Sequence, residues 1–305
     1  FNTYKKMLDF SSSRPLALKG LILIANKNGD SELFSNMLMS AKNFKIPLDI
    51  FILEALKFCI KNGSWELLKE HAIQSSKKVS SKARDAISFL NFNLAKENLE
   101  KGNQEKTKKI LEEIFASKIY FPNYMELYCN LNLQHNHKKL KRILKAYWKN
   151  FPHGNILDCV LKNFRNLNIS EKVKLLIALL EGHNNLYLKY LLLGEIKSMA
   201  KIWGESKKDL LKSIELFPNK KAYLLLVNIE EKTSCNKNKI KNWLALAEEC
   251  KDKFWQCNLC SFTQKEWSIN CKNCNNILTF FNTELQNNKS NEDELLLRNN
   301  NLKIA

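Results

Sequence analysis

Four cysteines near the C-terminal end carry the most specific chemical pattern in the sequence. They form two Cys-x₂-Cys pairs, Cys257 with Cys260 and Cys271 with Cys274, and ten residues separate the pairs. A Cys-x₂-Cys turn places two sulfur atoms on one side of a tight loop, so two such turns supply four thiolates in a tetrahedron. This is the ligand set of a closed structural zinc site. We therefore predict that these four cysteines bind one Zn²⁺.

Two alternatives to zinc stay open on these residues alone. Iron also fits, because a rubredoxin-type centre uses the same four thiolates. Two disulfides are the other alternative, but the remaining cysteines are scattered singly, which is typical of small buried side chains in a reducing compartment. They are Cys59, Cys129, Cys159, Cys235 and Cys250. A segment as short as 254–281 cannot bury a core of its own, so metal binding would supply its folding free energy.

The residue that follows each cysteine pair bears on the shape of the loop. Glycine is common there, because the backbone turns into the left-handed region. This sequence has Ser261 and Asn275 instead. Asparagine tolerates the left-handed conformation well and serine less so. We therefore expect the first loop to be slightly strained or differently shaped.

The body of the chain that must present these cysteines has a helical pattern. The 305 residues include only 8 Gly and 5 Pro, which excludes a collagen-like chain and disfavours a turn-dense β protein. Apolar residues recur at the 3.6-residue period and predict fourteen helices, or about seven helix pairs. They are predicted at 15–28, 31–44, 48–62, 64–77, 82–101, 104–116, 121–134, 138–150, 154–165, 170–180, 184–202, 205–216, 220–232 and 237–250.

The turns between these helices follow a repeat. Gly29 and Gly63 are 34 residues apart, and Gly102 and Gly204 are separated by three times that number. Steps of the same length fall in polar stretches that we predict to be breaks between helices, at Asn136, Ser170 and Asn238. A 34-residue helix–turn–helix unit resembles the tetratricopeptide repeat. The expected fold is all-α, a tetratricopeptide-like α-solenoid with a small C-terminal zinc ribbon; chance helical hairpins of similar length are the alternative.

The chain is strongly basic. It has 49 Lys and Arg against 31 Asp and Glu, a net charge of +18, and the excess lies within residues 1–253. Such a body fits nucleic acid, acidic partner proteins or an anionic membrane face, while a lysine-rich solvated surface is the simpler interpretation. No apolar stretch approaches the roughly 18 residues that span a bilayer.

Motifs of common enzymes do not occur in the sequence. It has no phosphate-binding glycine loop, dinucleotide fingerprint, nucleophile elbow or His-Glu-x-x-His motif. The five histidines are dispersed, and we interpret the carboxylates of Glu230 and Glu231 as the solvated end of a helix. We therefore predict no catalytic residue, no cofactor-binding residue and no enzymatic activity.

The last third of the chain carries a longer pattern that includes the cysteines. It consists of Lys201-Ile202-Trp203-Gly204-Glu205-Ser206, Leu210-Leu211, Phe217-Pro218, Ala222-Tyr223-Leu224, Ile229-Glu230-Glu231, Trp243-Leu244, Trp255-x-Cys257-x₂-Cys260-x₆-Trp267-x₃-Cys271-x₂-Cys274 and Leu278-Thr279. This pattern resembles the C-terminal half of the HemY family in its alphaproteobacterial form. Those are tetratricopeptide membrane proteins associated with haem biosynthesis. The run Ala17–Leu21, followed by Gly29-Asp30, resembles the start of that family's soluble region.

The resemblance implies a location and a role. Family members carry two transmembrane helices before the soluble part, so we expect a membrane hairpin ahead of residue 1 and a soluble part on the cytoplasmic side of the bacterial inner membrane. The implied function is a non-enzymatic scaffold or regulator of haem synthesis that binds partner proteins, haem-biosynthesis enzymes among them. We divide the chain into a juxtamembrane segment (1–13), the repeat array (14–253), a rubredoxin-like zinc ribbon (254–281) and a disordered tail (282–305).

Three other functions remain open. LapB, an adaptor for regulated proteolysis, also joins a membrane anchor, tetratricopeptide repeats and a terminal four-cysteine metal domain. A nucleic-acid-binding repeat protein would use the basic body, and its affinity would fall steeply with salt. A haem or porphyrin carrier is the last alternative, although the sequence offers no motif for an axial ligand.

Overall fold

The described part of the chain is almost entirely helical. The computed structural model describes residues 1–74, 80–119, 121, 124–131, 137–250, 255–264 and 267–282, and these contain fifteen α-helices and three short strands. The chain forms two compact units, Phe1–Tyr124 and Met125–Ala305. The tail predicted to be disordered lies outside the described residues, except for Asn282 at the end of a strand.

The first unit consists of helices that pack in pairs. Its elements are α1 (Asn2–Met7), α2 (Arg14–Asn28), α3 (Ser31–Asn43), a 3₁₀ turn (Leu48–Ile50), α4 (Ile52–Asn62), α5 (Trp65–Gln74), α6 (Ser81–Glu100) and α7 (Gln104–Ser117). Consecutive helices α2 and α3, and α6 and α7, pack against each other. Alternate helices also pack, α2 on α4, α3 on α5 and α4 on α6. Each pair therefore buries its apolar face against the next pair.

The second unit repeats this arrangement. Helix α8 (Tyr124–Asn130) begins at the last residue of the first unit and is followed by α9 (His137–Asn150), α10 (Asn155–Asn163), α11 (Ile169–Leu179), α12 (Tyr187–Met199), α13 (Trp203–Leu216), α14 (Lys220–Thr233) and α15 (Lys237–Glu249). Helices α12 and α13 pack closely, as do α14 and α15, and α12 also contacts α14. A three-stranded sheet follows α15.

The predicted helices are confirmed. Each of the fourteen has a counterpart between α2 and α15, with most ends within three residues of the prediction where the structure describes them. The prediction for 48–62 is corrected to a 3₁₀ turn and a shorter helix, and α1 was not predicted. Residues 75–77 and 132–134, which the sequence assigns to helices, lie outside the described residues.

The second helix of each pair recurs at a regular distance. These helices begin at Ser31, Trp65, Gln104, His137, Ile169, Trp203 and Lys237. The first two starts are 34 residues apart, and so are the successive starts at 169, 203 and 237. The predicted 34-residue period is therefore present in the helix starts at both ends of the series, and the middle steps depart from it.

The turn positions predicted at Ser170, Gly204 and Asn238 are wrong, because each is the second residue of a helix. The turns lie just before them and need no glycine. Lys201, at a φ of 59°, makes the left-handed turn between α12 and α13. Asn168 caps α11, with its side chain accepting a hydrogen bond from the backbone N–H of Glu171.

Helices α12 and α13 are in tight contact at Gly194. Ser206 Oγ donates a hydrogen bond of 2.6 Å to the Gly194 carbonyl oxygen. A Cβ atom added at Gly194 would lie 2.6 Å from Leu210 Cγ and 3.3 Å from the Ser206 carbonyl oxygen. Because Leu210 is fully buried, its side chain has little room to move away. The absence of a side chain at residue 194 therefore sets the distance between the two helices.

A carboxylate is also buried where α13 and α14 meet. Glu230 on α14 is only 1% exposed, and its carboxylate pairs with Lys207 Nζ at 2.7 Å and accepts a hydrogen bond from the Ser234 hydroxyl. The interpretation of Glu230 as solvated is therefore wrong, while Glu231 is exposed as expected. Glu230 follows the buried Leu226 by four residues and so lies on the same face of α14.

We predict that Gly194→Ala destabilises the protein by about 1–3 kcal/mol, because the new methyl group overlaps Leu210. The matched control is Gly204→Ala, since Gly204 lies in α13 with no heavy atom within 4 Å of the added Cβ. There the better helix former stabilises by up to about 1 kcal/mol. Urea unfolding followed by circular dichroism measures both. Equal stability of the two variants would contradict the close-contact assignment.

We predict that Glu230→Gln lowers the free energy of unfolding by about 2 kcal/mol at neutral pH. The hydrogen bond with Lys207, followed by that with Ser234, lowers the pKa of Glu230. A lowered pKa stabilises the fold above the unfolded-state value of about 4.3, and this stabilisation disappears as the pH falls through the folded-state value. The difference between wild type and variant should therefore shrink in acid. Glu231→Gln is the control, and a pH-independent difference for Glu230→Gln would refute the assignment.

Candidate metal centre

A small antiparallel sheet positions the four cysteines. Its strands are β1 (Trp255–Cys257), β2 (Thr263–Gln264) and β3 (Phe280–Asn282), in the order β2-β1-β3. The central strand β1 ends at Cys257, which is paired with Phe280 on β3. An isolated bridge joins Asn270 to Ile277. Because the sheet is so small, most residues of this segment lie in the two loops that contain the cysteine pairs.

The first loop closes around Cys257 through two backbone hydrogen bonds. The Ser261 N–H donates to the Cys257 carbonyl oxygen at 2.9 Å, and the Cys257 N–H donates to the Phe262 carbonyl oxygen at 2.8 Å. Ser261 has a φ of 57°, so the serine adopts the left-handed conformation that glycine often supplies. This conformation turns the backbone and leaves both sulfurs of the first pair on one side of the loop.

The second loop repeats the first. The Asn275 N–H donates to the Cys271 carbonyl oxygen at 2.9 Å, and the Cys271 N–H donates to the Asn276 carbonyl oxygen, also at 2.9 Å. Asn275 has a φ of 55°, within a few degrees of Ser261. The expectation that the first loop would be differently shaped is therefore wrong, because serine reaches the same left-handed conformation as asparagine.

The two loops bring the four predicted sulfur ligands together. All four Sγ atoms lie within 4.8 Å of one another, with 3.7 Å between those of Cys257 and Cys274 and 3.4 Å between those of Cys260 and Cys271. Zinc–sulfur bonds of about 2.3 Å place tetrahedral sulfurs about 3.8 Å apart. The four thiols therefore lie close enough together to bind one metal ion such as zinc.

Neighbouring groups shift the pKa values of the cysteine thiols in different directions. Burial opposes ionisation of Cys257, but Thr279, whose Oγ1 is 3.2 Å from the sulfur, and the backbone N–H groups of Leu259 and Cys260 lower its pKa to about 6. Burial raises the pKa of Cys271 to about 11. Ionisation is therefore easier at Cys257 than at Cys271, where a metal ion has to displace a proton.

Thr279 was not assigned a role from the sequence, although it closes the pattern of the HemY resemblance. It is 7% exposed and follows the second cysteine pair by five residues. No spacing rule links it to Cys257, 22 residues earlier. Only the pairing of β1 with β3 brings the two side chains together. Such outer partners orient the ligands of metal sites.

The other predicted features occupy different places. Cys59 and Cys159 are buried, Cys129 and Cys250 are partly buried, and Cys235 is exposed. Among the residues that the structure describes, the four cysteines of the ribbon are the one group of three or more His, Cys, Asp or Glu side chains with ligand atoms close enough to hold an ion. None of the described helices is sufficiently long and apolar to span a membrane.

Comparisons with known proteins identify no family for this chain. No protein-family model matches the chain, and no curated protein sequence is significantly similar to it.

We predict that Cys257→Ser reduces the bound metal from one ion per chain to none, because a tetrahedral four-thiolate site loses one of its four ligands. The helical circular-dichroism signal should remain, while residues 255–282 become sensitive to protease. Cys235→Ser is the matched control, since Cys235 is exposed and outside the cluster. Elemental analysis of the purified proteins measures the metal. Equal metal content in wild type and Cys257→Ser would refute the four-thiolate site.

Proposed function

We propose that this chain is a non-enzymatic scaffold in which tetratricopeptide-type helical repeats bind partner proteins and a C-terminal zinc ribbon completes the repeat array. The observation that carries the proposal is the combination of paired helices with a 34-residue period and a four-thiol module directly after the last pair. Both parts are suited to presenting surfaces to other proteins.

The helix pair α12 and α13 supports the tetratricopeptide type most directly. The repeat pattern has an aromatic residue, Leu-Gly and a second aromatic residue in the first helix, a small and then a large residue in the second, and proline at the end. The chain matches it with Tyr190-x₂-Leu193-Gly194-x₂-Lys197, Ser206-x₃-Leu210 and Pro218. The small residues of the pattern, Gly194 and Ser206, contact each other across the two helices. Lys197 replaces the second aromatic residue, and its Nζ lies 2.8 Å from both Glu205 and Asp209.

Zinc is the metal that the donor set favours. Four thiolates from two symmetric loops form a closed set with no place left for water or substrate, which is typical of structural zinc. The ion would replace the hydrophobic core that so short a segment lacks. A rubredoxin-type iron centre has the same ligands, and its strong visible absorption would distinguish it in the purified protein.

The place in the cell is proposed from the resemblance to HemY. Trp203-Gly204, Phe217-Pro218 and the Trp-flanked cysteine pattern carry that resemblance. On this basis we place the protein at the bacterial inner membrane, with the helical array facing the cytoplasm and enzymes of late haem synthesis as its partners. Free thiols are consistent with a reducing compartment. A LapB-like adaptor for regulated proteolysis is the second candidate, since it combines the same two parts.

We predict that cells depleted of the full-length protein accumulate porphyrin precursors and contain less haem, because the terminal enzymes lose their scaffold. Re-expression of the wild type or of Cys235→Ser should restore the profile, whereas Cys257→Ser should not. Chromatography of extracted tetrapyrroles measures this. An unchanged tetrapyrrole profile would remove the haem proposal. Slower turnover of inner-membrane proteins in the same cells would favour the adaptor.

A further inference from the structure

A large share of the positive charge is concentrated around α9. Residues 138–165 contain eight Lys or Arg residues and one acidic residue, Asp158, a net charge of +7 out of the +18 of the whole chain. This is more than a third of the excess in less than a tenth of the length. Lysine that merely covers a solvated surface would be spread more evenly, so the concentration needs its own explanation.

The fold arranges this charge in a row. The apolar residues of α9 are buried, namely Leu140, Ile143, Leu144, Tyr147 and Trp148. The exposed residues of its opposite side, apart from the terminal Asn150, are all basic, and we call them the α9 basic face: Lys138, Lys141, Arg142, Lys145 and Lys149. At about 100° per residue they fall within an arc of about 100°, and they extend about 16 Å along the helix. The face is therefore a narrow, straight strip of one sign.

One carboxylate already lies on this strip. Glu181, which follows α11, places its carboxylate 2.6 Å from Lys145 Nζ. This hydrogen bond and the charge of Lys145 lower the pKa of Glu181. Lys141 lies with its Nζ 5.8 Å from the centre of the Phe164 ring. The strip therefore binds a carboxylate within the chain and retains a positive excess.

The composition of the strip separates three kinds of anionic partner. Tyr147 and Trp148 are buried in the core, so neither of these two rings is available for a base to stack on. Its apolar side chains face inward, so α9 has none to insert into a bilayer. Four of its five charges are lysines, which act as point charges and lack the two-pronged fork with which arginine grips phosphate. A row spaced by three and four residues matches the spacing of carboxylates along one face of an acidic helix.

We propose that the α9 basic face is a docking site for an acidic segment of a partner protein, with Asp or Glu residues recurring every three to four positions. The inference rests on the proposed scaffold function and names the chemistry of the partner. Attraction between the strip and the segment speeds their encounter and fixes their register. The complex should therefore weaken as salt is added.

The test measures binding of a fluorescein-labelled poly-glutamate peptide by fluorescence anisotropy. The variant K138Q/K141Q/K149Q removes three charges from the strip and should weaken binding about tenfold, since each exposed ion pair contributes only modestly. Glutamine is nearly as good a helix former as lysine, so α9 should stay folded. The matched control K237Q/K239Q/K241Q removes three exposed charges from α15 and should leave binding within about twofold of wild type.

Two results would overturn the proposal. An equal loss of affinity in both variants would show that only the net charge of the chain matters. Tighter binding of oligothymidylate or of phosphatidylglycerol vesicles than of the peptide, abolished by K138Q/K141Q/K149Q, would assign the strip to nucleic acid or to a membrane. Neither result changes the expected tetrapyrrole profile of depleted cells, so failure of this inference and failure of the haem proposal are distinguishable.

Discussion

The need of each short element to bury its apolar surface against a neighbour governs the whole fold. The described helices would be marginal on their own, because a single helix in water gains too little from its own hydrogen bonds. Packing in pairs supplies the missing stabilisation. The α12–α13 contact is tight at Gly194 because this residue has no side chain. The cysteine segment has the same difficulty without helices to pack. There four converging sulfurs lie where a core would be, so a bound metal ion would be a second solution to the same constraint.

The sequence predicts the helices well because their period is local. A face that repeats every 3.6 residues is visible without knowledge of what covers it. The turns are harder, because glycine is only one way to make them: Lys201 and Cys235 adopt left-handed conformations with φ of 59° and 51°. Burial of charge is hardest. Nothing near Glu230 in the sequence indicates that Lys207, 23 residues earlier, neutralises it in the fold.

The same distinction applies to the metal centre. That the four sulfurs lie together could be predicted, because the spacing of each pair places two cysteines in one tight turn. The different pKa shifts of the thiols could not be predicted, because they depend on the contact of Thr279 with Cys257 across the sheet and on the burial of Cys271. The left-handed turn at Ser261 lies between these cases. The need for a left-handed residue after the cysteine pair was predictable. That serine adopts this conformation without altering the shape of the loop was not.

Lysine has two different roles in this chain, and the contrast explains why the α9 basic face stands apart. Lys197 and Lys207 are largely buried, and each forms an ion pair that joins its helix to the next one. The charged residues of the α9 basic face lie instead on the exposed side of their helix. Like charges three or four residues apart on one helix destabilise it by about 0.2–0.5 kcal/mol per pair. One carboxylate, Glu181, relieves part of this repulsion. An acidic partner would relieve the rest, so the free energy lost by repulsion within the unbound helix becomes a driving force for association.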